Sequence, residues 1–144
     1  MTERQSKGTA PKPIPRVASY AEPYWAMARE DKLGLPFCPR CVAWIFYPRH
    51  WCPHCYGSEL EWRETGGRGS VYSFSVVHQA PFEAYEAEVP YVLAIIELAE
   101  GPHLMANVVD CAPETVHVGM PVRVVFETRA EGFKLPQFTP ETSD

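Results

Sequence analysis

Apolar and polar residues alternate with a period of two along most of residues 59–129, and follow a helical period in one short stretch near the start of the chain. In SYAEPYWAMAREDKLGL, Tyr20, Tyr24, Met27 and Ala28 recur at helical spacing. Ser19 with Glu22 three residues on fits a capping box, Pro23 suits a first turn, and Gly34 is a plausible stop. Such a helix either packs on its own domain or docks on a partner, and the Tyr24–Trp25 pair leaves the second option open.

From Glu59 onward the pattern changes. ELEWRETGGRGSVYSFSVVHQ reads as a strand, a glycine-rich turn and a second strand, with Val71, Ser73, Ser75 and Val77 alternating against Tyr72, Phe74, Val76 and His78. PYVLAIIELAEG and PHLMANVVD give two strands around the turn Glu100-Gly101-Pro102. VGMPVRVVFETR adds another, with Val122, Val124 and Phe126 on one side. Short strands broken by Gly and Pro turns, with no long helix, predict a small sandwich or barrel. The count suits a five-stranded OB barrel.

Composition narrows the class. The 144 residues are 46% apolar, 22% charged and 12% aromatic, as in a globular chain with a real core. No run of about eighteen apolar residues is present, so no membrane span is expected. The start, MTERQSKGTAPKPIPR, lacks the apolar core of a secretory signal and reads as a disordered or extended tail, which predicts a cytoplasmic protein with reduced thiols. Net charge is −5, unevenly spread: residues 1–70 hold ten Lys/Arg against seven Asp/Glu, residues 71–144 three against eleven. Nucleic-acid binding depends on cations that displace phosphate counterions, and the second half has almost none.

Four of the five cysteines lie in CPRCVAWIFYPRHWCPHC, as Cys38, Cys41, Cys52 and Cys55. Each CxxC turn lets two thiolates reach one ion, and two such knuckles joined by a short hairpin complete a tetrahedral sulfur shell, as in a zinc ribbon. Iron fits the same shell, and the spacing leaves the two metals open. Four thiolates leave no coordination site for water, so the ion is expected to be structural rather than catalytic. His50 and His54 are then surface residues, and Cys111 a small part-buried one.

A search for catalytic constellations finds no GxSxG, HExxH, P-loop or GxGxxG; GGRG at 66–69 is a turn. His78, His103 and His117 stand apart at strand ends, and FEAYEAEVP reads as a solvated acidic loop. A binding or scaffolding role follows, with Phe82, Tyr85, Tyr91, Phe133 and Phe138 as aromatics able to line a groove or meet a partner.

The order of these segments resembles one family. A helix ending in DKLGLPFCPRC, then YPRHWCPHCYGSELEWRETGGRGSVYSFSVVH, VPYVLAIIELAEG, VGMPVRVVF and LPQFTP is similar to the rubredoxin-like zinc ribbon plus OB-fold family, long catalogued as a domain of unknown function and often encoded beside thiolases. The similarity runs from about residue 20 to 140, on CxxC…YPR…CPxC, GxGxVYSFSVVH and the closing LPxF. It implies a mostly β chain: a tail at 1–18, a helix at 19–36, a zinc ribbon at 37–62, a five-stranded OB-fold barrel at 63–140 and a tail at 141–144. It also implies a subunit, not an enzyme on its own, that joins a thiolase-fold enzyme or sterol-carrier-type aldolase acting on acyl-CoA, in some members during steroid side-chain degradation. The zinc ligands would be Cys38, Cys41, Cys52 and Cys55. A ligand or partner surface would draw on Tyr24, Trp25, Arg40, Arg49, His78, Phe82, Tyr91 and Phe138, with Pro81 and Leu135-Pro136-Gln137 nearby and with any CoA phosphates near Arg40, Arg49, Arg63 or Arg68. A stand-alone acyl-CoA carrier and a nucleic-acid-binding ribbon/OB module are the competing readings.

Overall fold

Two sheets hold all eight strands among the described residues, 11–141, of a computed structural model of the chain. The outer parts of the expected tails, 1–10 and 142–144, lie outside the described residues. The first sheet is antiparallel, in the order β2-β1-β3, from β1 (Gly34–Cys38), β2 (Ala43–Trp44) and β3 (Glu61–Glu64). The second closes into a barrel, β4-β5-β6-β8-β7, from β4 (Arg68–Val77), β5 (Tyr91–Leu98), β6 (His103–Val108), β7 (Pro121–Thr128) and β8 (Lys134–Pro140). This is the expected ribbon and five-stranded OB barrel. Closure removes the free edges of the second sheet.

The helix is shorter than the sequence pattern predicts. Residues 19–21 form a 3₁₀ turn, and α1 spans only Glu22–Arg29, with Ala21 rather than Ser19 at its N-cap and no side-chain cap. Pro23 sits in the first turn, where its missing N–H has no partner to lose. Residues 34–36, expected in the helix, begin β1 instead. Gly34 stands there because Met27 packs against it: a Cβ at Gly34 would fall 2.1 Å from Met27 Sδ. Tyr24 and Ala28, four residues apart, form the buried face of α1 and join Leu33, Leu35 and the barrel interior in one core. Tyr24 is therefore core, not partner surface, and burial holds its hydroxyl pKa well above the usual tyrosine value. Trp25 is partly buried, edge-on to Phe133 at 5.8 Å.

Burial follows period two along β5 and β6, so Val92, Ala94, Ile96 and Leu98 face Leu104, Ala106 and Val108 inside the barrel. Strand β4 departs from simple alternation. A bulge between Val71 and Ser73 resets the register, so Val71 shares the inner face with Phe74 and Val76 rather than with Ser73 and Ser75. Just before that bulge, Gly69 pairs with Leu98 on one side and Val122 on the other, where β4 passes from one neighbour to the next. A Cβ at Gly69 would lie 2.4 Å from the Glu97 carbonyl oxygen, a rigid backbone atom. Phe138, fully buried at 0% exposure, fills the barrel core, so it is not the surface residue the sequence suggests.

The G69A variant is expected to lose about 1–3 kcal/mol of stability through this overpacking, read by thermal or urea unfolding. A fully neutral G69A would contradict the packing described.

Candidate functional site

The knuckle sequences place four sulfurs together. Cys38 ends β1, Cys41 follows in the tight turn to β2, and Cys52 and Cys55 flank a second turn. All four Sγ atoms lie within 4.8 Å of one another, with Cys38–Cys55 and Cys41–Cys52 each at 3.8 Å. A tetrahedral site with Zn–S bonds near 2.3 Å requires sulfur separations of about 3.8 Å. Backbone N–H groups of Cys41, His54 and Gly57 donate to the sulfurs of Cys38, Cys52 and Cys55 at 3.4–3.5 Å. These donors stabilise thiolates, the form a metal needs.

As bare thiols the set ionises unevenly. A hydrogen bond to Cys55, then burial, pushes Cys41 up to about 12. Burial also works against ionising Cys52, but the amides of Cys55 and His54 outweigh it and bring it down to about 6. Donor set, spacing and amide cradle all fit one structural zinc ion. When bound, zinc supplies the cross-link; Ile45 and Leu60 pack beside the sulfurs as the only other members of this small second core.

Apolar side chains surround this centre and face outward. Val42 is 74% exposed, Tyr47 60%, Trp51 58% and Tyr56 79%. Three of them adjoin a cysteine ligand in sequence, so the compact sulfur cluster also gathers them. Ring contacts extend the belt to the helix start, from Trp51 through His50 (5.5 Å) to Tyr20 (4.8 Å), and from Tyr47 through Phe46 (4.3 Å) to Tyr24 (6.0 Å). By sequence, Tyr47 and Trp51 belong to the hairpin between the knuckles and Tyr56 has no assigned role, so none of the three is expected on the partner surface. Their proximity to a closed metal site, which cannot bury them, is the signal that was available.

The other expected surface residues scatter. Arg40 lies beside Gly57 and Tyr56 near the metal centre, and Arg49 is exposed on the ribbon. Arg63 is engaged by Glu61 and stacks over Phe37 at 3.8 Å, and Arg68 pairs with Glu141. His78 is exposed after β4 and Phe82 is 49% exposed against Tyr85. Half-buried Tyr91 lines a cavity of about 290 Å³ with Glu88, Asn107, Cys111 and Glu127; burial raises its hydroxyl pKa, with Tyr85 and Glu88 adding to the effect. Carboxylates on that wall oppose a phosphate ligand. Among the described residues, Arg40 lines a cavity near the metal centre and Tyr91 a separate one on the barrel.

In the stretch expected as a solvated acidic loop, Glu83 and Glu86 are exposed, while Glu88 joins a buried polar cluster. Lys12 Nζ pairs with Glu88 and, at 3.1 Å, with Glu127. Glu127 also accepts from Arg129 Nε at 2.8 Å and from Gln137 Nε2 at 3.2 Å. Burial would raise the Glu127 carboxyl, but its bonds and charge interactions with Arg129 and Lys12 outweigh it and hold it below the ordinary 4.5.

Comparison with known proteins places the two halves. Residues 25–61 match the ChsH2 rubredoxin-like zinc ribbon domain and residues 62–127 the ChsH2 C-terminal OB-fold domain. A probable enoyl-CoA hydratase alpha subunit of Thermomonospora curvata is 34% identical over 140 residues, 96% of this chain and 42% of that protein. A DUF35 domain-containing scaffold protein of Methanocaldococcus jannaschii is 46% identical over 90 residues, 62% of this chain and 63% of that protein. Among solved structures, a chain of the Ltp2-ChsH2(DUF35) aldolase superposes with TM-score 0.80 at 33% identity, covering 88% of this chain and 98% of that one. The chain thus spans less than two thirds of the length of these two curated relatives.

Two outcomes follow. Cys52→Ser is expected to lose stoichiometric zinc and to unfold the ribbon, since structural zinc contributes about 10–16 kcal/mol in small ribbons; elemental analysis and near-ultraviolet circular dichroism read both. The ionised Glu127 stabilises the fold fully above pH 4.5, and that contribution is lost as pH falls through its lower folded value. Melting temperatures between about pH 6 and pH 3 should therefore fall less steeply in E127Q than in the wild type, with zinc release common to both.

Proposed function

Because the chain belongs to the DUF35 family of rubredoxin-like zinc ribbon and OB-fold proteins, we propose that it is a non-catalytic accessory subunit of an enzyme complex. The observation that carries this reading is the outward aromatic belt on a ribbon whose metal shell is closed. Four sulfurs leave zinc no position for water or substrate, so the ion fixes shape only. Exposed Trp and Tyr on a rigid frame are the side chains that anchor protein interfaces, because they bury much area while losing few rotamers.

The partner in this reading is a thiolase-fold enzyme, with a sterol-carrier-type aldolase preferred, acting on a CoA thioester of a steroid side chain. The aldolase named in the similar structure supports that choice. So does a 62-residue stretch, 42% identical, shared with the 3-oxo-4,17-pregnadiene-20-carboxyl-CoA hydratase alpha subunit of Mycobacterium tuberculosis. Here the thioester chemistry belongs to the partner. This chain supplies a docking face and keeps the partner in its active form. The cavity by Tyr91 is lined by Glu88 and Glu127, carboxylates that repel a CoA phosphate, which disfavours that cavity as the site of a stand-alone carrier.

The test is reconstitution with a thiolase-fold enzyme of the same organism. Wild type should co-elute with it and raise its activity. W51E and Y56E should each weaken the complex roughly 30-fold or more while keeping zinc and melting temperature, as loss of an interface anchor of about 2 kcal/mol implies. Co-elution unaffected by both substitutions, or activity indifferent to this chain, contradicts the proposal.

A further inference from the structure

Residues 11–16 read PKPIPR, with proline at every second position. They were expected as a free tail, yet Lys12 is 7% exposed and its ammonium is held by Glu88 and Glu127 and lies 5.3 Å from the Tyr85 ring centroid. An ammonium placed this deep must be paired, because desolvating it alone is costly. Here the pairing is supplied by three separate parts of the fold: the 3₁₀ turn Glu83–Glu88, strand β7 through Glu127, and strand β8 through Gln137, which bonds Glu127. Gln137 also accepts from the Asn107 N–H of β6 at 2.7 Å.

The place where this cluster sits is the weakest seam of the barrel. Strands β6 and β8 run parallel and share one paired position, Val108 with Phe138, whereas β7 and β8 are paired over seven. Beside that pairing an open groove of about 410 Å³ runs over Leu93, Met105, Leu135 and Pro136, with Pro13, Ile14 and Pro15 forming its other wall. Arg129 Nη1 donates to the Pro13 carbonyl at 3.1 Å, and alternate prolines leave one edge of the extended arm without N–H donors for a strand ladder. The arm is thus read by one ammonium, one carbonyl and apolar contact, the way grooves recognise extended proline-rich segments, and not by β-pairing.

We propose that the β6–β8 seam is a recognition groove for an extended, proline-alternating segment carrying one lysine, and that the chain's own Lys12–Pro15 occupies it in cis as an exchangeable resident. The primary ammonium is taken by Glu88 and Glu127, which line the neighbouring cavity, and the Ile-Pro pair flanks the apolar side of the groove. Another polypeptide with this chemistry binds by displacing the arm. This inference is independent of the accessory-subunit reading, since the groove lies on the barrel and the aromatic belt on the ribbon.

A fluorescent peptide with the sequence of residues 9–18 tests it by anisotropy against the full-length protein. K12E adds a third carboxylate to Glu88 and Glu127 and should expel the arm, and I14D opens the groove by a separate route. Each should bind the peptide saturably and at least tenfold more tightly than wild type does, and a peptide with norleucine for lysine should bind at least tenfold more weakly. In wild type, tryptic cleavage after Arg16 should be at least tenfold slower than in the free peptide. Cleavage of the arm at the free-peptide rate overturns the proposal even if neither variant folds. So does failure of folded K12E or I14D to bind, or indifference to the norleucine change. A mass that doubles with concentration in wild type but not in K12E would place the arm in a second copy and overturn the assignment in cis.

Discussion

Four thiolates converging on one ion are the constraint from which the N-terminal half takes its shape. Between Cys38 and Leu60, Ile45 and Leu60 pack with the cysteines and Trp44 and Phe46 pack against the main core, too little to order more than twenty residues by burial alone. The metal replaces the missing core. It ties the two knuckles, fixes the short β1–β2 hairpin, and leaves β1 free to pair with β3 on its other side. Through Leu33 and Leu35 that same segment enters the barrel core, so the ribbon is anchored at one end by sulfur and at the other by hydrophobic packing.

A cross-link of this kind has a consequence for the surface. Because coordination holds the knuckles, several large side chains of the ribbon are released from core duty and can point outward. Val42, Tyr47, Trp51 and Tyr56 do so. In an ordinary small domain those residues would be the core, and exposing them would cost the fold. Here they stay exposed on a rigid frame, so that covering them would cost little entropy.

Some of this was legible in the sequence and some was not, for identifiable physical reasons. Paired CxxC turns and period-two strands carry their meaning locally, so the metal site and barrel could be read from spacing. Tyr24 and Phe138 could not be placed, because an aromatic on a helix or edge strand looks the same whether it meets the core or solvent; tertiary packing of α1 and closure of β8 onto β7 decide it. Parity along β4 was misleading because the bulge at Tyr72 leaves no clear trace in composition. The fate of Lys12 depends on Glu127, 115 residues away, a partnership that no local pattern encodes.

Everything rests on the shell of the metal being complete. Zinc-edge X-ray absorption on the purified protein, alone and with the proposed partner enzyme, measures that shell directly. Four sulfur neighbours near 2.3 Å with no lighter atom, unchanged by the partner or by a CoA thioester, is the predicted result. An oxygen or nitrogen neighbour in either state, above all one that appears with substrate, would make the ion a participant in chemistry and contradict the account.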